Sequence, residues 1–373
     1  MQYLLEFSNY TAISPLENAI GILGDLGRHS KFGEQTEYFK RLVLESQNLG
    51  MDCFVFTDFD RAGLTAWSLD GDTWTQVHRG LPKVFYDRSF KKKSGAGEKS
   101  NTRALSDLGC KPINSADFRK TAQDKHETFV KILENPPAGL IVPKTEKFRN
   151  DEVLPFLSDK TACVLKPRFG SGGRGIIKIA KVNEGYELKY SKFTRVVPEQ
   201  GLTEAVAEAR RSLKSSKRKY LIQEWVDLPL FNESVFDVRV IYQRGANGKP
   251  LRTGMAVRIA APDKITSNLH RGGSRLTLSQ VLRDVFGQEI DGEIGESIRH
   301  LSSEVFKCLD SAVGPIGEMG IDFLIDKGGR VNLIEVNSIP GRNLFKILPD
   351  IREKSIKRPV EYAKHILEQK KPL

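Results

Sequence analysis

Cysteine is scarce in this 373-residue chain: Cys53, Cys110, Cys163 and Cys308 stand far apart. No two form a C-x-x-C pair, so there is neither zinc spacing nor a disulfide framework, and the thiols read as free in a reducing compartment. Long apolar runs are also missing. No stretch approaches the roughly 18 apolar residues of a membrane helix, which excludes a helical span. The opening MQYLLEFSNY has no basic n-region and no extended apolar core, so a signal peptide is not expected and the protein is expected to be cytoplasmic. Internal repeats and low-complexity tracts are absent, which excludes repeat architectures.

What is present is an ordinary globular composition. With 39% hydrophobic residues the chain can bury a sizeable core, and its length suggests two or three structural units. Lys and Arg number 58 against 47 Asp and Glu, a net charge of +11. An excess of this size is satisfied by a solvated basic surface, so no nucleic-acid partner is expected.

Residues 17 to 57 read as strand, long helix, strand, one βα unit of a parallel sheet. LPKVFYDRSF predicts a further strand, and KKKSGAGEKSN, with Lys91 to Lys93, a basic loop. From Ser115 the texture changes. ADFRKTAQDKHETFVKILE predicts one helix that Pro136, Pro137 and Pro143 stop. TEAVAEARRSLKSSKRK predicts a second amphipathic helix, and YLIQEWV a strand followed by short β-rich runs. A helix over Ser297 to Asp310, two final strands in GIDFLIDKGGRVNLIEVN and a last helix VEYAKHILEQK complete the chain.

The stretch CVLKPRFGSGGRGIIK places Gly170, Gly172 and Gly175 on G-x-G-x-x-G spacing. A dinucleotide loop must lead into a helix, whose N-terminus holds the pyrophosphate. Here IIKIAK follows, a β-rich run, so the pattern predicts a glycine hairpin. It is not a Walker loop either, because Lys166 precedes the glycines. Such a hairpin can fold over a phosphate as a flap, with Lys166, Arg168 and Arg174 supplying positive charge, or it can serve only as a solvent turn.

In GIDFLIDKGGRVNLIEVNSIPG, Glu335 and Asn337 lie two apart and share one strand face. The GG turn makes the strands antiparallel neighbours, so Asp322 can share that face. Two carboxylates and a carboxamide form an oxygen-ligand set of the kind Mg²⁺ takes beside nucleotide phosphates.

With these residues in view the chain resembles the ATP-grasp superfamily over about residues 116 to 365. The matching pieces run in order: Asp124-Lys125, Pro143 to Thr145, VLKP with its flap, IQEWV, FDVRV, MAVRI, SNLHRGGS, GIDFLID and LIEVNSIPG. The N-terminal region further resembles the YheC/YheD branch, known as endospore coat-associated proteins. The resemblance implies an α+β ATP-grasp fold, two α+β subdomains closing on ATP, preceded by an α/β pre-ATP-grasp domain. The expected boundaries are 1–115 for that domain, 116–222 for the lid subdomain with the flap, and 223–373 for the subdomain with the metal site.

Carried over, Lys125 and Lys166 contact nucleotide phosphates, with the flap residues Gly170, Ser171, Gly172 and Gly173. Gln223, Glu224, Trp225 and Val226 line the adenine at the hinge strand. Glu233, or else Asp227, holds the ribose. Asp322, Glu335 and Asn337 ligate Mg²⁺, with Mn²⁺ as an alternative. Arg239 and Arg258 face the γ-phosphate and the acyl-phosphate, and Asn268 lines the site; His270 and Arg271 lie beside it, and no base role is expected of His270. The implied activity is ATP-dependent joining of a carboxylate to an amine, on an amino acid or peptide, with release of ADP and phosphate. Small-molecule phosphorylation and a non-catalytic ATP-binding role in the spore coat are the alternatives. The acceptor pocket is expected to draw on Tyr86, Asp87 and Arg88. Lys91 to Lys93 suggest an acidic substrate such as a poly-glutamate or cell-envelope component. Oligomeric state is left open, with a dimer among the options, and the branch name adds association with the spore as an expectation.

Overall fold

The first apolar runs pair in parallel, as their periodicity predicts. The computed structural model describes residues 15–60, 63–91, 100–149, 152–170, 172–261 and 273–369. Ser171, Asn268, His270, Arg271, Lys92 and Lys93 therefore lie outside the described residues. Strand β1 (Leu16–Leu23) leads to α1 (Thr36–Asn48), which buries Phe39, Leu42 and Val43, and then to β2 (Asp52–Phe59). A hairpin, β3 (Leu64–Asp70) and β4 (Thr73–Arg79), continues the sheet outward; β5 (Pro82–Asp87), α2 (Asn101–Asp107) and β6 (Lys111–Pro112) follow. The order is β4-β3-β2-β1-β5-β6, with β2 and β5 parallel to β1 on opposite sides. The winding therefore reverses between β1 and β5, and the crevice at their carboxyl ends is where open α/β sheets bind ligands. The hairpin was not anticipated, because TWTQVHR alternates too weakly to declare itself as a strand.

One helix is expected over Ala116 to Glu134, and two are found: α3 (Ala116–Gln123) and α4 (Lys125–Glu134). Asp124 separates them with φ −111° and ψ 102°. Its carboxylate accepts the backbone N–H of His126 at 3.1 Å, capping α4, and takes the Arg168 guanidinium in a fork at 2.7 and 2.6 Å. Aspartate favours a cap over a helix interior, and the fork adds a charge-assisted anchor. The break makes Lys125 the first residue of α4.

The second sheet follows. Its pieces are β7 (Thr145–Lys147), α5 (Val153–Phe156), β8 (Ala162–Pro167), β9 (Ile177–Val182), β10 (Gly185–Tyr190), β11 (Phe193–Val197), α6 (Leu202–Ser212) and β12 (Tyr220–Glu224). The order is β11-β10-β9-β8-β12-β7. Cys163, Leu165, Ile177, Ile179 and Ile222 pack on one face against Leu202, Val206 and Ala209 of α6. Because side chains alternate, Val164, Lys166 and Gln223 emerge on the other face.

The third sheet comprises β13 (Phe236–Arg244), β14 (Pro250–Ile259) and β15 (Ser274–Leu276), then, after α7 (Leu278–Phe286) and α8 (Gln288–Val313), β16 (Glu318–Ile325) and β17 (Val331–Asn337). Its back face buries Val238, Val240, Val257, Ile321 and Phe323 against α7 and α8, and Phe118 and Phe129 of α3 and α4 join that core. The final helix, α9 (Pro349–Glu368), is longer than the sequence predicts, since it runs straight through Pro359. A proline there removes the bond to the carbonyl four residues back. That carbonyl, Ser355, instead accepts the Gln243 side-chain N–H at 2.9 Å, which offsets the loss. Among the described residues no helix is long and apolar enough to cross a membrane.

The cap at Asp124 gives a direct test. Asp124→Ala is expected to destabilise the protein by about 1–2 kcal/mol in urea denaturation, and Asp124→Asn, which keeps a capping oxygen, by clearly less. Equal losses for the two would remove the cap as the cause.

Candidate active site

The cleft is built from strand alternation on two sheets. In the second sheet Lys166 stands opposite Leu221, and Gln223 opposite Val164. In the third sheet the register sets side chains in rows. One row runs Arg275, Arg258, Asp237; the next runs Ala256, Arg239, Asp322, Glu335; Asn337 lies beyond, opposite Gly320. The two walls touch: Lys125 Nζ lies 3.4 Å from Glu335 Oε1 and also donates to the carbonyl of Gly170 in the flap.

The glycine stretch is the hairpin that its sequence predicts, with β8 and β9 antiparallel on either side of it. Gly175 has φ +82°, and a Cβ there would meet Tyr220 Oη at 2.8 Å, so a side chain is excluded on both counts. Gly170, Gly172 and Gly173 also have positive φ. Behind the flap, Lys166 is 6% exposed and its Nζ donates to Gln223 Oε1 at 2.8 Å. Gln223 in turn donates to Thr145 Oγ1 at 2.7 Å, which fixes the amide orientation. Burial, helped by the charge of Lys125 and opposed by Glu335, pulls the Lys166 ammonium down to about 7. Among the described residues Lys166 forms no ion pair with a carboxylate of its own.

On the facing wall, Asp322 receives two guanidiniums. Arg239 forms a fork with it, Nη2 to Oδ2 at 2.7 Å, and Arg258 Nη2 lies 2.9 Å from the same oxygen. Arg258 forks Asp237 as well, at 2.6 and 2.8 Å. Burial alone would raise the Asp322 carboxyl; the charges of Arg239 and Arg258 outweigh it and hold the group below the usual carboxylate range. Burial would likewise lower Arg258, and the Asp237 and Asp322 charges reverse that, so it stays protonated. Asn337 Nδ2 reaches Asp322 Oδ2 at 3.4 Å.

This donor set fits a hard divalent cation. Asp322 and Glu335 are register partners and Asn337 joins them through Nδ2, which leaves its Oδ1 and the carboxylate oxygens as the atoms a hard cation would use. No group of three or more His, Cys, Asp or Glu suited to a metal occurs among the described residues. Two carboxylates and a carboxamide leave coordination positions for phosphate oxygens and water, which suits Mg²⁺ at a nucleotide better than a closed protein cage.

A cavity of about 440 Å³ opens at the hinge, lined by Pro143, Glu224, Trp225, Val226, Asp227 and the turn at Asp326 to Arg330, among others. Neither the two lysines Lys125 and Lys166 nor the Asp322, Glu335 and Asn337 group is among its lining residues. Trp225 carries Lys178 over its ring at 4.2 Å from the centroid. Asp227 lines the cavity and pairs with Lys327 at 3.0 Å. Glu233 sits at φ +60° in an exposed turn and is not part of the lining.

Several partners escaped the sequence. Asp237 could have been found, because F-D-V-R-V places it on the face of Arg239. Arg275 and the contacts of Tyr86 and Arg88 carry no local signal, and nothing near Thr145 announces that its hydroxyl will hold Gln223. Tyr86 and Arg88 reach across to β16, donating to Glu318 at 2.5 and 3.2 Å, whereas Asp87 turns inward to Ser89, Thr102 and Arg119.

Two sheets facing over a cleft behind a parallel α/β unit make this an ATP-grasp fold. The chain aligns with the VanG D-Ala:D-Ser ligase of Enterococcus faecalis at TM-score 0.58 and 14% identity, covering 94% of this chain and 98% of that one. It aligns with the D-alanine–D-alanine ligase of Bacillus anthracis, solved in complex with ATP, at 0.55 and 14%, covering 94% and 96%. Residues 114–366 match the family model for YheC/D-like ATP-grasp proteins, and the chain belongs to that family. It is 24% identical to the endospore coat-associated protein YheC of Bacillus subtilis over 90% of this chain and 93% of the relative. To YheD of the same organism it is 27% identical over 91% and 76%.

The state of Lys166 is testable without a ligand. Folding lowers its pKa from the ordinary 10.5 to about 7, so its burial weakens the folded state fully below about pH 7 and progressively less toward pH 10.5. Lys166→Met is expected to raise the urea midpoint at pH 7, with the gap to wild type narrowing by pH 9. A gap that does not change with pH would assign the charge elsewhere.

Proposed function

We propose that the protein is an ATP-dependent carboxylate–amine ligase that works through an acyl-phosphate on an amino acid or peptide. The observation that carries this reading is the cleft itself, with Lys125 and Lys166 on one wall and Asp322, Glu335, Asn337, Arg239 and Arg258 on the other. In this reading the adenine enters the hinge cavity beside Trp225 and Val226, Asp227 approaches the ribose, and the phosphates run between the lysines and the metal ligands. The flap residues Gly170, Gly172 and Gly173 cover the phosphates with backbone N–H groups, and their lack of Cβ permits that approach.

Asp322, Glu335 and Asn337 would hold Mg²⁺, which neutralises phosphate charge and orients the transferring group. The chain's own part is positioning and electrostatics. A substrate carboxylate oxygen attacks the γ-phosphorus in line, the bond to the β-phosphate oxygen breaks, and ADP leaves. Arg239 and Arg258 face the charge that builds on the transferred group. An amine nitrogen then attacks the acyl carbon, the carbon–oxygen bond to phosphate breaks, and the amine proton leaves with the phosphate. No side chain is needed as a base.

Two features support proton linkage. Lys166 sits near neutrality in the free protein, and phosphate beside it would favour the charged form. Mg-ATP binding at pH 8 is therefore expected to take up a proton, seen as a binding enthalpy that changes with buffer ionisation heat and is flat in Lys166→Met.

The decisive assay follows ADP and product mass with Mg-ATP and a pool of amino acids and peptides. Wild type is expected to release ADP and form an amide, and Glu335→Ala to lose about a hundredfold or more of that rate while keeping its fold. ATP that binds but never turns over would sink the ligase reading. A stable phosphorylated product would instead identify a kinase.

A further inference from the structure

Across the cleft wall the arginines are not equally neutralised. Arg239 has Asp322, and Arg258 has both Asp322 and Asp237. Arg275 stands opposite Arg258 in the β14–β15 ladder, and like charges in that position repel. It is half-buried, and its recorded partner among the described residues is neutral: Nη1 donates to the backbone carbonyl of Asn343 at 2.5 Å. A guanidinium has five N–H donors in a planar fork, so most of this one is left for an anion.

Its mount is rigid. Asn343 follows Arg342, whose Nη1 reaches Glu318 at 3.1 Å and the Pro340 carbonyl at 2.6 Å. Arg88 from the N-terminal sheet donates to the same carboxylate at 3.2 Å, and Glu318 is fully buried. The loop that holds Arg275 is therefore fastened both to the metal strand and to the crevice of the N-terminal unit. A charged fork, held in place, with no carboxylate partner among the described residues and lying outside the Arg239–Asp322–Arg258 cluster, is suited to receive an anion.

We propose that Arg275 binds a carboxylate of the acceptor, so that the amine substrate is an amino acid or peptide carrying a free carboxylate. This rests on the ligase reading. The nucleotide's γ-phosphate could in principle claim the same fork, and the test separates the two.

The full chain is loaded with Mg²⁺ and a non-hydrolysable ATP analogue and melted in rising acetate or acetamide. Acetate is expected to raise the melting temperature with the logarithm of its concentration above Kd, by about 2 °C at tenfold over Kd, and acetamide not to. Arg275→Gln, unchanged in melting without ligand, should lose that shift. An equal acetate shift in the variant, or none in wild type, overturns the proposal. In turnover with free-acid amino acids and dipeptides against their amides, Arg275→Gln should raise the acceptor KM about tenfold or more and leave the ATP KM in place. A raised ATP KM with an unchanged acceptor KM assigns Arg275 to the nucleotide and overturns the proposal. Amides accepted as readily as acids overturn it while the ligase stands. If nothing in the panel releases ADP, the ligase reading falls and takes with it the acceptor role, leaving the acetate result to decide only whether Arg275 binds anions.

Discussion

Asp322 sits between the guanidiniums of Arg239 and Arg258, and the rest of the cleft is arranged around keeping that carboxylate charged in a buried place. A lone buried carboxylate would protonate; two cations prevent it. The arrangement needs β13, β14 and β16 in one register, because Arg239 must lie beside Asp322 while Arg258 reaches the same carboxylate across β13. It also needs Asp237, since two arginines on one aspartate leave a positive excess. The pairing occupies both oxygens of Asp322, so the carboxylate is fully compensated by protein groups alone.

The opposite wall shows the same rule from the other side. Lys166 is buried against an amide and an aromatic ring rather than a carboxylate, and it responds by sitting near neutrality. Lys125, which has Glu335 beside it, is the first residue of a helix that exists as a separate element because Asp124 breaks the chain there. The capped break, the Arg168 fork and the flap carbonyl on Lys125 thus tie one helix terminus to the base of the glycine hairpin.

Much of this was legible in the sequence because it is local. A hairpin instead of a dinucleotide loop followed from what comes after Gly175, and the common face of Asp322, Glu335 and Asn337 followed from a period of two and one tight turn. The failures are non-local. Nothing near Asp124 announces that Arg168, 44 residues on, will help hold the break. Nothing near Pro359 announces that Gln243, 112 residues away from Ser355, will satisfy the carbonyl that the proline leaves free. Propensity alone stops the last helix at the proline, and the tertiary partner lets it continue. Arg275 belongs to no motif, and its isolation becomes visible only when the register of two ladders reveals what its neighbours pair with.

One strand links the two halves of the chemistry. Glu318 and Asp322 lie four residues apart on β16, about 13 Å along a strand, and on the same face. The first fastens Arg88 and Arg342, with Tyr86 donating to it; the second anchors the cluster in the cleft. Replacing either carboxylate would leave paired guanidiniums uncompensated in the interior, a larger penalty than the pair itself is worth. The N-terminal sheet is therefore fixed relative to β16 by buried charge. The second sheet is joined to the third by the segments around Pro143 and Glu224 to Asp227 and by the bridge through Lys125.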